Sequence, residues 1–378
     1  MVRAVGIDPG TKTFELCGIE DGEVFHEKIL QTADLAEEPH LLIEAIEKVM
    51  PLDLIVAPSG YGVEVTRLDE IPEEKLKEWY LTYILLLKEK DLDKALSGEE
   101  TGIMVYSTMV QNALEMKRRE WPICYIPGVI NLSTVPEWRK INNLDMGTVD
   151  KLCSSLLGIH DQAVRKDISY DRTSFLLIEM GFGYNSTLAV ENGKIVDGLG
   201  GTTGGIGFLS AGKLDLELVQ LVGGWDKSDV FKGGASTITG KDDPKAMIGD
   251  ETNEVAWNAM MEGIEKSAAS LLTSVSDPEE ILLSGRLNRM KEVREELEYR
   301  LGEFGPIRTL GSLSGAEKIK EAAQGSAIAA EGLAGGDFSQ LVEHIELIEA
   351  EGTALDHLYH PKGLSVKEEL EKKVSFRP

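Results

Sequence analysis

Cysteine is scarce in this chain: Cys17, Cys124 and Cys153 are the only three in 378 residues. The number is odd and no pair has C-x-x-C spacing, so free thiols in a reducing compartment fit better than a disulfide framework. Long apolar runs are missing too. The longest cluster, Tyr80 to Leu87, is interrupted by Thr82 and falls well short of the roughly 20 residues a membrane helix needs. No basic-then-apolar leader opens the chain, because Met1-Val2-Arg3 runs directly into a strand-like segment. Positive charge is in deficit, with 39 Lys and Arg against 65 Asp and Glu, a formal net charge of −26. Such a balance argues against a nucleic-acid backbone or an anionic membrane as partner. It leaves room for a phosphorylated ligand, which backbone amides and Mg²⁺ can hold on an acidic protein. The expectation is a soluble cytoplasmic protein.

The composition is that of a globular chain, 42% apolar and 28% charged, long enough for two domains with separate cores. The arrangement centres on Phe175 to Asp215. Phe175-Leu176-Leu177-Ile178 reads as a buried strand ending at Glu179, followed by Gly181, Gly183, a second strand-like run and an Asn192-Gly193 hairpin turn. The amino terminus follows the same plan: Val5-Gly6-Ile7, then Asp8, Gly10, a strand-like run and Asp21-Gly22. Acid and turn glycine are 14 residues apart in both places. A strand ending in an acid beside a glycine corner, used twice, is the pattern of a duplicated phosphate-binding device: amides cradle phosphate, and the carboxylate holds Mg²⁺ directly or through water. Two ordinary hairpins are the plainer reading.

Between these corners, helical spacing is expected over Glu37–Val49, Pro72–Leu96 and Ile103–Arg119, with short strands at Leu52–Ala57 and Ile123–Ile130. A further helix is expected from about Val149, after Asn142-Asn143-Leu144-Asp145. Beyond the second corner, the six glycines of Gly198–Gly207 read as a mobile loop. Helices are expected at Leu214–Val222, Thr252–Val275, Arg289–Leu301 and Ala316–Leu333, and a strand at Ile281–Leu283 runs into Ser284-Gly285-Arg286. The small residues of Ala322–Ala330 suit close approach of another element. The expected domains are 1–171, 172–336 and a charged helical tail over 337–378 that packs back on the first.

Three other patterns compete. Gly207 to Lys213 has Walker spacing, but Leu214 stands where Mg²⁺ ligation needs Ser or Thr. Asp356, His357 and His360 have metal-like spacing without a second cluster. Lys117-Arg118-Arg119 could bind an acid or phosphate, or simply end a helix.

In order, Val5–Lys12, Asp145–Leu157, Ile178–Asn185, Ile281–Arg286 and Ala322–Ala330 resemble the five conserved pieces of the acetate and sugar kinase, heat-shock chaperone and actin superfamily. Within it, Asp8-Pro9-Gly10-Thr11, Leu54–Val63 and Glu179–Asp197 are most similar to butyrate kinases and to uncharacterised archaeal relatives of the DUF1464 type, described as predicted butyrate kinases. Asp8 stands where acid kinases have Asn and where sugar kinases and actins have Asp. The loop Ser210–Lys213 lacks the arginine of acid kinases, which leaves Lys213 as its cation, and Asp145-Met146-Gly147-Thr148 replaces a His-bearing motif.

The resemblance implies a duplicated actin-like ATPase (ribonuclease H-like) α/β fold, two domains around a nucleotide cleft, with ATP and Mg²⁺ as cofactors. Asp8 and Glu179 would hold the metal. Gly10, Thr11, Lys12, Gly181, Gly183 and Asn185 would hold the phosphates, and Gly285 and Arg286 the adenosine. Asp8, Asp145 and Lys213 would be catalytic, with Asp145 as general base or water-mediated metal ligand; helix-start residue is the alternative reading. The expected partners are a nucleotide and a small-molecule acceptor such as a short-chain carboxylate, with no nucleic acid and no membrane; a homo-oligomer is compatible. Two functions fit: a kinase for a short-chain carboxylate or, as a variant, a sugar, and a nucleotide-dependent switch that drives a partner.

Overall fold

The computed structural model describes residues 1–89, 91 and 101–376, with only the backbone for 101–104. These residues form two compact units: Met1–Leu144 with Thr148–Asp161 and Gly311–Pro378, and Asp145–Gly147 with Gln162–Leu310. The expected limits at 171 and 336 therefore differ from the observed ones, since everything from Gly311 onward belongs with the first unit.

The first unit carries a six-stranded sheet of β1 (Arg3–Pro9), β2 (Thr13–Glu20), β3 (Glu23–Gln31), β4 (Leu54–Val56), β5 (Thr66–Arg67) and β6 (Ile123–Tyr125), in the order β3-β2-β1-β4-β6-β5. The second carries β7 (Phe175–Met180), β8 (Asn185–Glu191), β9 (Lys194–Leu199), β10 (Glu280–Ser284) and β11 (Ile307–Thr309), in the order β11-β10-β7-β8-β9. The two sheets share a plan. A strand pairs antiparallel with the next, which pairs antiparallel with the third in a meander, and the first strand's other edge pairs parallel with a later strand, β4 beside β1 and β10 beside β7. The likeness extends to defects. Each outer hairpin shifts register two pairs before the turn, between Gly18 and Ile19 and between Ala189 and Val190. Each turns through two residues of positive φ, Asp21 (47°) and Gly22 (76°), Asn192 (52°) and Gly193 (70°). These are the primed turns whose twist matches the strands, and Asp-Gly and Asn-Gly are their preferred sequences.

In the first unit the helix Glu321–Leu333 packs on β1, β2 and β4. Its small residues are the reason it can lie so close. A Cβ on Gly6 of β1 would stand 2.1 Å from the Ala327 nitrogen, and one on Gly325 would stand 1.8 Å from the Cys153 carbonyl oxygen. The expected helix over Ala316–Leu333 is shorter, starting at Glu321 after Lys320 in extended conformation. Of the helix expected over Pro72–Leu96, Glu73–Trp79 is α-helical and Tyr80–Ile84 forms a π-turn, while residues 90 and 92–100 lie outside the described residues.

In the second unit Glu254–Leu271 covers β7, β8 and β9 and packs against Lys291–Leu301. Buried Glu280 at the head of β10 is held by Arg165 and by the Gln162 amide, whose Nε2 donates at 2.6 Å. Arg165→Ala should destabilise by about 2–3 kcal/mol, below the 3–5 typical of a fully buried pair because Arg165 is partly exposed and Gln162 remains. Urea unfolding measures it, and a midpoint equal to that of the wild type contradicts it.

Candidate functional site

Each of the two meanders begins with a four-residue loop of the same construction. In the first, Pro9 pairs with Phe14 and the Gly10 N–H donates to the Thr13 carbonyl at 3.0 Å. In the second, Met180 pairs with Asn185 and the Gly181 N–H donates to the Tyr184 carbonyl at 2.9 Å. Asp8 and Glu179 occupy the same place, one residue before the last of the strand, and both are buried. All these equivalences run at one offset of 171 residues, Asp8 to Glu179, Gly10 to Gly181 and Asp21 to Asn192.

Each loop is braced from behind. Thr32 donates its Oγ1 to the Gly10 carbonyl at 2.9 Å and its N–H to the Lys12 carbonyl at 3.0 Å. The Gly183 carbonyl accepts from the Leu209 and Ser210 amides, both at 3.0 Å. Thr11 and Lys12 are exposed at the first loop tip. Asn185 is buried and its Nδ2 donates to the Ile206 carbonyl at 2.8 Å, so its amide serves the brace of the second corner.

The Ser284-Gly285-Arg286 turn lies against the second corner. Ser284 pairs with Glu179, and Gly285 has φ +89° with its Cα over Met180, where a Cβ would come within 2.5 Å of the Met180 carbonyl oxygen. Both the conformation and the contact require glycine. Arg286 is exposed beyond it. The corner loop and the turn thus sit together at the carboxyl ends of parallel neighbours, the end of an α/β sheet where ligands bind.

The first corner holds more charge than the sequence reading assigned. The Lys320 ammonium lies 3.0 Å from Asp8 Oδ2 and 3.4 Å from Glu15 Oε1, while the Lys320 N–H donates to Glu15 Oε2 at 2.7 Å. Thr13 Oγ1 donates to Glu15 Oε1 at 2.7 Å. Asp150, in the first turn of the helix Val149–Lys166, adds a third carboxylate, bound by Lys151 and by Thr148 Oγ1 at 2.5 Å. Burial, then repulsion from Asp150 and Glu15, raise the Asp8 carboxyl above its ordinary value of 3.8 despite Lys320. Burial works against ionised Asp150 as well, but Lys151 and Thr148 outweigh it and hold that carboxyl below the ordinary value. Glu15 and Lys320 were missed because their contact joins residues 305 apart in sequence, and Asp150 because its link to Asp8 is likewise remote. The one local signal was Thr148-x-Asp150 at a helix start.

Asp145 belongs to the second unit. Its Oδ1 accepts from the Gly147 N–H and its Oδ2 from the Thr202 N–H and Oγ1, all at 3.1 Å, and Thr203 Oγ1 donates to its carbonyl at 2.8 Å. The Gly198–Gly207 segment, expected to be mobile, is pinned by these bonds. Lys213 is exposed, its N–H donating to the Gly204 carbonyl at 3.0 Å.

The competing patterns dissolve into ordinary contacts. Gly207 to Lys213 folds back on itself, Gly207 N–H to Ser210 carbonyl, without opening a helix at Lys213. Lys117 donates to the Leu68 and Asp69 carbonyls, Arg118 pairs with Glu73, and Arg119 with Glu115 and Glu47. Asp356 pairs with Lys367, and His357 with Glu137. Among the described residues no group of three or more His, Cys, Asp or Glu could hold a metal, and no helix is long and apolar enough to cross a membrane. A hydrated Mg²⁺ needs only one or two protein carboxylates. The desolvated Asp8, with two more carboxylates beside it, has the excess negative charge that such an ion would offset.

A meander of this plan, repeated with an acid-and-glycine corner in each copy, defines the duplicated actin-like ATPase (ribonuclease H-like) fold. The chain belongs to the family described as "Protein of unknown function (DUF1464)", whose model matches residues 6–360. No curated protein sequence matches it. Similar solved structures include acetate kinase from Entamoeba histolytica (14% identity, TM-score 0.55, covering 80% of this chain and 87% of that one). A propionate kinase from Francisella tularensis has 14% identity and a TM-score of 0.57 over 86% of this chain and 99% of its own. Acetate kinase from Porphyromonas gingivalis has 13% identity and a TM-score of 0.54 over 86% and 98%. At these identities the likeness is one of fold.

Proposed function

We propose that this protein is an ATP-dependent phosphotransferase acting on a short-chain carboxylate of the butyrate kind. The observation that carries the reading is the corner repeated at a constant offset of 171 residues: a buried acid two places before a glycine whose N–H closes the loop. Transfer of a phosphoryl group asks for positioning and charge stabilisation rather than covalent chemistry, which is what such corners offer. The solved acetate and propionate kinases of the same fold support a carboxylate acceptor.

In this reading Gly10, Thr11, Lys12, Gly181 and Gly183 present the phosphate loops, with Asn185 as brace of the second. Gly285 and Arg286 lie on the adenosine side and Lys213 on the acceptor side. Asp8 and Glu179 would hold Mg²⁺, which when bound screens the phosphate charge. Asp145 acts as a positioning residue that keeps the glycine-rich segment in shape.

A second reading, a nucleotide-dependent switch, draws support from the surface of the helix Leu216–Val222. There Leu216, Leu221 and Val222 are 74%, 80% and 61% exposed, an apolar surface suited to a protein partner. ADP release from Mg²⁺·ATP, measured with acetate, propionate, butyrate and longer acids and with none, separates the two. The kinase predicts acceptor-dependent release; a rate indifferent to every acid, with ATP still raising the melting temperature, favours the switch. Both fail if neither ATP nor ADP raises it, since a ligand bound only by the folded state must stabilise that state.

A further inference from the structure

We propose that Lys320, donated to the first corner by the residue preceding the helix Glu321–Leu333, is a phosphate-contacting residue of the site. The inference rests on the phosphotransferase reading and adds to it a cation that comes from outside the loop.

The geometry is specific. The ammonium lies in the concavity of the loop, where a Cβ on Gly10 would come within 2.5 Å of it. Glycine at position 10 is thus what lets the lysine reach the place where loop amides would meet phosphate oxygens. Asp8 binds it at hydrogen-bond length, 3.0 Å, whereas Glu15 Oε1 and the Thr13 carbonyl are both at 3.4 Å, the outer limit for such contacts. The Asp8 and Glu15 side chains are only 6% and 4% exposed and that of Lys320 is 21%. Lys320 is therefore the most exposed side chain of the trio.

Charge requires it as well. Asp8, Glu15 and Asp150 converge on a corner meant for an anion, and Lys151 is engaged by Asp150. Phosphates brought beside three carboxylates are repelled unless cations stand between, and Lys320 is placed to be one of them beside Lys12 and Mg²⁺. An ammonium can turn from a carboxylate to a phosphate oxygen without loss of a bond, because its three donors rotate about one flexible stem. The backbone bond from Lys320 N–H to Glu15 Oε2 keeps the residue anchored while its side chain moves.

The test compares nucleotides of different phosphate number. Mg²⁺·ATP, Mg²⁺·ADP and AMP are titrated calorimetrically into the wild-type chain, Lys320→Met and the double variant Glu15→Gln/Lys320→Met, which relieves the buried charge left by the lysine. ATP and ADP affinity should fall roughly ten- to hundredfold, the worth of a hydrogen bond to a charged group, with AMP unchanged. In the wild-type chain, ATP but not AMP should slow acetylation of Lys320, followed by peptide mass spectrometry. A folded double variant that binds ATP as tightly as wild type, an equal loss for AMP, or acetylation indifferent to bound ATP overturns the proposal. Wild-type protein that binds neither ATP nor ADP sinks the phosphotransferase reading itself, a separate and recognisable outcome.

Discussion

Alanine at Gly325 is expected to destabilise the protein by about 3 kcal/mol or more, the upper end of what overpacking costs. The helix Glu321–Leu333 is buried from Ala322 to Gly332 and is confined on two sides by backbone rather than by side chains that could rotate away. The new Cβ would stand 1.8 Å from the Cys153 carbonyl oxygen and 2.3 Å from its carbon. Relief by moving the helix away from Cys153 is blocked elsewhere along it, since Ala327 already lies where a Cβ on Gly6 would be 2.1 Å from its nitrogen. Denaturant unfolding should show a lower midpoint with an unchanged slope, the sign of a native state made less stable rather than a denatured state altered. A midpoint within error of wild type would mean that the helix can shift, and the packing argument would fail.

Asp8→Ala should cut ATP turnover by about 100-fold or more, given that outer-shell partners of a metal site alone are worth 10–100-fold. Stability should respond in the opposite sense when charge is removed without loss of shape. The folded-state carboxyl of Asp8 lies above its ordinary value, chiefly through burial. Between that ordinary value of 3.8 and the folded value, the native chain binds more protons than the unfolded one. Stability therefore falls as pH rises through this window, and the penalty is fully present above it. Asp8→Asn should remove that slope and melt at or above the wild-type temperature at neutral pH, an instance of a site that is kept at some cost in stability. Asp150 works in the other direction and in a different window. Its contribution is present above the ordinary carboxyl value and is lost only as pH falls through its lower folded value. Melting temperatures of wild type and Asp8→Asn from pH 3 to pH 8 separate the two; parallel curves would refute the assignment to Asp8.

Both corners could be read from the sequence because everything that makes them is short-range. An apolar run, an acid, a glycine and a two-residue Asp-Gly or Asn-Gly turn are encoded within about twenty residues, and primed turns accept few other sequences. The helix from Val149 was legible for the same reason, and so was the strand at Ile281–Leu283 leading to Gly285. Periodicity lost its hold where local and tertiary preferences part. The small-residue segment reads as helix from Ala316, yet the chain bends through residues 317–319 and is extended at Lys320, whose N–H goes to Glu15 rather than into a helix.

Local pattern alone thus determined that this chain builds the same strand-turn corner twice and surrounds each copy with α/β structure. Tertiary structure decided which charges serve the first corner: Asp150, and a lysine 312 residues from the aspartate it meets. It also decided that Gly311–Pro378 completes the first unit. The reason is physical. A turn is set by the φ and ψ preferences of its own residues, whereas a buried ion pair is set by which distant segments the closing of the core brings within about 3 Å.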